Sequence, residues 1–141
     1  MLERIFVIER TRDGRLPIRS FGTELVALFG RDLRHQDLAR FFPPHDFAMM
    51  SAFIGACAEA GAPGVVRLTA ETACGRAVGA ELLITPLKFD DALGNRYLGL
   101  FQSLGGADFL EGRPVQIPRL GSLHPPLTKT QRGVRLVVVN D

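Results

Sequence analysis

Apolar positions recur along this chain at two periods, and the alternation between them separates strands from helices. Ile5 to Glu9 is a strand-like run, and Arg12-Asp13-Gly14-Arg15 predicts a turn, since Gly14 can take the positive φ of a tight hairpin. Leu16 to Phe21 returns as a second strand, with Pro17 near its start, where a missing N–H is tolerated. Thr23 to Phe29 predicts a short helix, capped by Thr23 and stopped by Gly30. Asp32 to Phe42 carries Leu33, Leu38, Phe41 and Phe42 on one or two helical turns, and Pro43-Pro44 ends them. His45 to Ala60 is the strongest helix. Its Phe47, Met50, Ile54 and Cys57 fall on one face of a 3.6-residue period, widened by Phe53, before Gly61 and Pro63.

Period two then takes over. Val66, Leu68 and Ala70 alternate with Arg67, Thr69 and Glu71 between Val65 and Thr72, and Ala73-Cys74-Gly75 makes a turn. Val78, Ala80, Leu82 and Ile84 mark the inner face of the next strand, which is expected to end near Pro86. Asp90 to Asn95 reads as a loop, and Tyr97 to Leu104 as the last core strand. In that strand Leu98, Leu100, Gln102 and Leu104 are assigned inward. Beyond Gly105-Gly106, the stretch Gly112 to Gly133 is rich in Pro and Gly and reads as extended and irregular. Val134 to Val139 closes the chain as a β-prone run.

Length and composition narrow the class. A chain of 141 residues, 46% hydrophobic and 23% charged, makes one globular domain and is too short for two ordinary ones. No apolar run approaches the roughly 20 residues of a membrane-spanning helix. The first residues enter a strand at once, without a positively charged leader, so the expected location is the cytoplasm. Net charge is +2, and the basic residues are scattered except for Arg10, Arg12, Arg15 and Arg19 near one turn. A nucleic-acid surface would need a clustered basic patch with stacking aromatics, so no nucleic-acid partner is expected.

The order of elements gives an α+β domain: a five-stranded antiparallel sheet with helices on one face, followed by an irregular C-terminal extension. Over residues 4 to 104 it resembles a PAS domain. Leu28-Phe29-Gly30-Arg31-Asp32-Leu33 followed by Phe42-Pro43-Pro44-His45-Asp46 looks like the helical stretch of that family. Thr72-Ala73-Cys74-Gly75-Arg76 looks like its turn between two strands, with Cys74 where Asp is usual. Phe21-Gly22-Thr23 and Leu83-Ile84-Thr85-Pro86-Leu87 are similar to the single-domain PAS proteins of alphaproteobacteria. The resemblance implies a PAS-like domain over residues 1–106, an extension over 107–141, and a sensing or protein-interaction role in bacterial signalling. Members usually carry a helix before the first strand, where this sequence starts almost on the strand.

Flavin, haem, metal and enzymatic chemistry each make a demand on these residues. A flavin photoreceptor of this fold needs an Asn-Cys-Arg-type run ahead of the long helix, where this chain has Gln36-Asp37-Leu38-Ala39-Arg40-Phe41; Gln102 alone resembles those photoreceptors. Haem needs an axial ligand, for which His45 and His35 are the candidates and a surface position the plainer reading. Three dispersed histidines, His124 among them, and two unpaired cysteines give no metal-ligand spacing. No cofactor is therefore assigned. Glu71, Glu81 and Asp90-Asp91 form no acid–base pair, and no nucleophile motif appears, so no enzyme is expected.

What remains is a binding module. Met50, Phe53, Ile54 and Cys57 are expected to face Val66, Leu68, Leu82 and Leu100 across a helix–sheet pocket for a small apolar molecule, with Gln102 as its polar contact. Cys57 is most simply a small core residue, and Gln102 most simply satisfies nearby backbone. Val65, Leu83, Tyr97 and Phe101 then point outward as a candidate interface, for a homodimer or a signalling partner.

Overall fold

The computed structural model describes residues 2–89, 92–104 and 114–126, with the side chains of 88, 89, 92–94, 116 and 117 left undescribed. Six strands form one antiparallel sheet: β1 Ile5–Glu9, β2 Ile18–Phe21, β3 Gly64–Thr72, β4 Ala77–Phe89, β5 Ala92–Ser103 and β6 Val115–His124. Their order is β2-β1-β5-β4-β3-β6. The helices α1 Thr23–Phe29 and α2 Pro44–Ala60 come between β2 and β3. The architecture is thus α+β, and it differs from the expected five strands by β6.

Local chemistry explains most boundaries. The first turn closes with Gly14 N–H donating to Thr11 O at 3.0 Å and Gly14 at φ 85°. Gly30 and Gly61 end the two helices in the left-handed region, which costs a residue without Cβ nothing. The N-cap of α1 is Gly22, not Thr23, because Gly22 packs against the carbonyl of Glu3 where no side chain would fit. Pro44 opens α2 at a position whose N–H has no helical partner in any case. The turn from β3 to β4 is held by Thr72, whose hydroxyl accepts from Arg76 N–H at 3.1 Å and lies 3.2 Å from Cys74 Sγ.

Two strands run further than expected. β4 passes through Pro86 because β3 pairs with it only as far as Ile84, leaving an edge-like stretch that tolerates proline. β5 begins at Ala92, so residues 92–95 of the expected loop are strand; Asp90 and Asp91 lie outside the described residues. Val115 to His124, within the stretch expected to be irregular, is β6, paired with β3 from Thr72↔Val115 to Val65↔His124. Val134 to Val139 lies outside the described residues.

The core lies between the sheet and the two helices. Met50, Ile54 and Cys57 of α2 are fully buried against a sheet face carrying Val66, Ala80, Ile84 and Tyr97. α2 comes close because Gly64 has no side chain: a Cβ there would lie 2.7 Å from Phe53 Cζ and 3.0 Å from Cys57 Sγ.

Candidate functional site

A cavity of about 50 Å³ lies beneath α1 rather than beneath α2. α1 contributes Leu25 and Phe29, β1 contributes Phe6, and β2 contributes Ile18 and Phe21. Leu33, Leu38, Phe41 and Phe42 roof it from the segment between the helices, and Leu68, Leu82, Phe101 and Pro118 floor it from β3, β4, β5 and β6. Six of the ten phenylalanines of the chain line this space.

The roof is fastened by polar atoms that face away from the cavity. Ile18 N–H donates to Gln36 O at 2.9 Å, His35 N–H to Ile18 O at 2.7 Å, and Leu38 N–H to Leu16 O at 2.9 Å. Asp37 caps the short helical turn Leu38–Arg40, its carboxylate accepting from Ala39 N–H at 3.1 Å and Leu16 N–H at 3.3 Å. These bonds hold Leu33 and Leu38 over the sheet, both buried. Inside, Phe29 meets Phe21 with centroids 5.8 Å apart; on the solvent side, the exposed Arg31 guanidinium lies 5.8 Å from the Phe41 ring centroid.

The expected pocket divides into three groups. Leu68 and Leu82 line the cavity. Met50, Phe53, Ile54, Cys57 and Val66 are buried in the core beneath α2 and do not line it. Burial pushes the Cys57 thiol up to about 11, so it is a neutral core group at physiological pH. Leu100 and Gln102 face the other side of the sheet, Gln102 exposed on a shallow cleft with Glu3, Arg4 and Glu24.

The phase of β5 is thus the reverse of the expected one. Tyr97 is fully buried and Phe101 nearly so, while Leu98 and Leu100 are half-buried on the outer face. Gly99 decides this. It pairs with Phe6, whose ring occupies the space its missing side chain leaves, so Tyr97, Gly99 and Phe101 must share the inner face with Phe6. Tyr97 and Phe101 therefore leave the candidate interface, and Leu100 joins Val65 and Leu83. Register places Ile5, Leu100, Leu83 and Val65 side by side across β1, β5, β4 and β3 on that outer face.

The remaining candidates lie at the surface. His35, His45 and His124 are all exposed, and none lines the cavity. Glu71 pairs with Arg119 at 2.8 Å and Glu81 with Arg67 at 3.0 Å. Among the described residues no group of three His, Cys, Asp or Glu could hold a metal ion. Sequence reasoning missed the cavity's roof and its α1 wall; the one signal for them was the concentration of phenylalanine between Phe6 and Phe42.

Comparison with known proteins follows the same architecture. The blue-light photoreceptor Aureochrome1 LOV in its light state superposes with a TM-score of 0.56 at 12% identity, over 78% of this chain and 88% of that one. A fungal LOV domain photoreceptor gives 0.52 at 18%, over 71% and 73%. The Rhodobacter sphaeroides LOV protein gives 0.55 at 14%, over 72% and 58%. At such identities these likenesses speak for the fold alone. No curated protein sequence matches the chain. The sequence pattern of the PAS domain, however, matches residues 1–102, which is most of the chain, and this protein belongs to the PAS domain family.

Proposed function

We propose that this chain is a sensory module of bacterial signal transduction that takes a small, wholly apolar ligand beneath α1 and acts through protein–protein contact in the cytoplasm. The observation that carries the ligand class is the cavity's lining, which is Phe, Leu, Ile and Pro throughout. A polar metabolite entering it would lose its hydrogen bonds to water and regain none, whereas a hydrocarbon gains about 25 cal/mol per Å² of surface removed from water. No helix among the described residues is long and apolar enough to cross a membrane.

Flavin and haem fit these residues poorly. The structural neighbours include blue-light photoreceptors, but here no thiol, amide or imidazole lines the cavity to meet a flavin ring edge or a haem iron. Cys57 is packed against Gly64 under the other helix, and Cys74 is exposed at the turn from β3 to β4. Native mass spectrometry of freshly purified protein, with the uncharged dye N-phenyl-1-naphthylamine as probe, tests the reading. We expect a colourless protein that enhances the dye's fluorescence, and Leu68→Phe, which fills the cavity, to weaken that enhancement while remaining folded. A stoichiometric flavin mass, or dye binding indifferent to Leu68→Phe, would overturn it.

For the contact surface, the occupant proposed is a second copy of the chain. The row Ile5, Leu100, Leu83 and Val65 supports it, because a two-fold axis through such a row sets it against itself.

A further inference from the structure

We propose that β6 is a displaceable wall of the cavity, and that filling the cavity is reported as release of β6 from β3. The proposal rests on the apolar-ligand reading above. Its starting point is a mismatch of size: about 50 Å³ is available, whereas small-molecule pockets span roughly 300–1,000 Å³. A ligand of more than a few heavy atoms must therefore move a wall.

The walls are not equally fastened. The residues matching the family end at 102, and β6 is added beyond them at the sheet edge, with β3 as its one strand partner. Its register slips twice, opposite Arg67/Leu68 and Glu71/Thr72. Pro118 stands opposite Ala70, where it can donate no ladder hydrogen bond, and the same buried proline touches the cavity. Outside the ladder, β6 is tied by Leu120 N–H donating to the Asp46 carboxylate of α2 at 3.2 Å, by the half-exposed Arg119–Glu71 pair, and by the packing of Val115, Leu120 and Leu123 against the core. Surface ion pairs of that kind hold weakly. β4 and β5, by contrast, are paired on both sides, and β2, the other edge strand, is bonded on its far side to the roof through Ile18 N–H to Gln36 O and His35 N–H to Ile18 O. A ligand pressing on Pro118 shifts the population toward the detached state by its preference for the enlarged cavity.

Hydrogen exchange on the full chain, read by mass spectrometry with and without N-phenyl-1-naphthylamine, decides the matter. Without dye, amides of 115–124 should exchange at least about tenfold faster than those of 78–84, and Asp46→Ala should raise the β6 rate by about tenfold more, as loss of one charge-assisted bond implies. Dye should accelerate 115–124 and leave 78–84 unchanged. If β6 and β4 exchange together in the wild type, the strand does not open by itself and the proposal falls whatever binds. Dye binding that leaves β6 protection unchanged or increased also overturns it, with the ligand reading intact. Failure of the dye to bind either the wild type or Pro118→Ala removes the ligand reading and the coupling with it.

Discussion

The ring of Phe101 meets that of Phe29 edge to face, with centroids 6.2 Å apart and 71° between the planes. This contact joins the last strand of the PAS domain to α1 and closes the cavity from below. It also places Phe101 in the core, on the opposite face of the sheet from Leu100. Phe101→Glu should accordingly bury an unpaired charge and abolish cooperative folding, while Phe101→Ala costs about 3–5 kcal/mol in urea denaturation. Leu100→Glu should leave a folded protein. Comparable losses from Phe101→Glu and Leu100→Glu would contradict the strand phase.

Gly99 should resist substitution because of its partner across β1. Gly99→Ala drives a methyl group into the Phe6 ring and is expected to cost about 1–3 kcal/mol by overpacking. Combined with Phe6→Leu, the cost should be smaller than the sum of the two single changes. Strict additivity in that double-mutant cycle would show that the ring is not what glycine accommodates.

Cys57 should make stability fall at high pH. Its thiol titrates near 9.0 when exposed and is pushed up to about 11 by burial, so the folded state keeps a proton that the unfolded chain releases between those values. Stability from this group is complete below pH 9 and is lost as pH rises toward 11. In urea melts the difference between wild type and Cys57→Ala should shrink across that window. A difference independent of pH would mean that the thiol is not desolvated. Native-state labelling at pH 8 should modify the exposed Cys74 and spare Cys57.

The outer-face row makes a prediction about size. With Leu83 36% exposed and flanked by Leu100 and Val65, Leu83→Glu should convert a dimer into a folded monomer in light scattering. A wild type that remains monomeric at high concentration would end the homodimer proposal.

Where one amphipathic period dominated, the sequence was legible to within a residue or two. α1 spans Thr23–Phe29 as read, α2 begins one residue earlier than read, and Val78, Ala80, Leu82 and Ile84 line the inner face of β4. The trouble came in β5, where both alternating sets are apolar: Leu98 and Leu100 against Tyr97 and Phe101. Such a strand carries no internal sign of its inner face. Gly99 was the clue, but its meaning depends on Phe6, more than ninety residues away in sequence.

The sequence alone therefore determined the element order, the PAS resemblance, the buried face of α2, and the lack of a nucleophile motif. Tertiary structure decided the position of the cavity, the facing of β5 and the recruitment of β6. Each of these depends on pairing between distant segments. Leu33 and Leu38 roof a cavity only because Gln36 and Leu38 bond to the backbone of Leu16 and Ile18. Val115 to His124 becomes a strand only because β3 offers an unpaired edge, and Pro118 touches the cavity only at that register. Period and propensity are properties of a window of residues. Register, and the space left between packed rings, are properties of the whole chain.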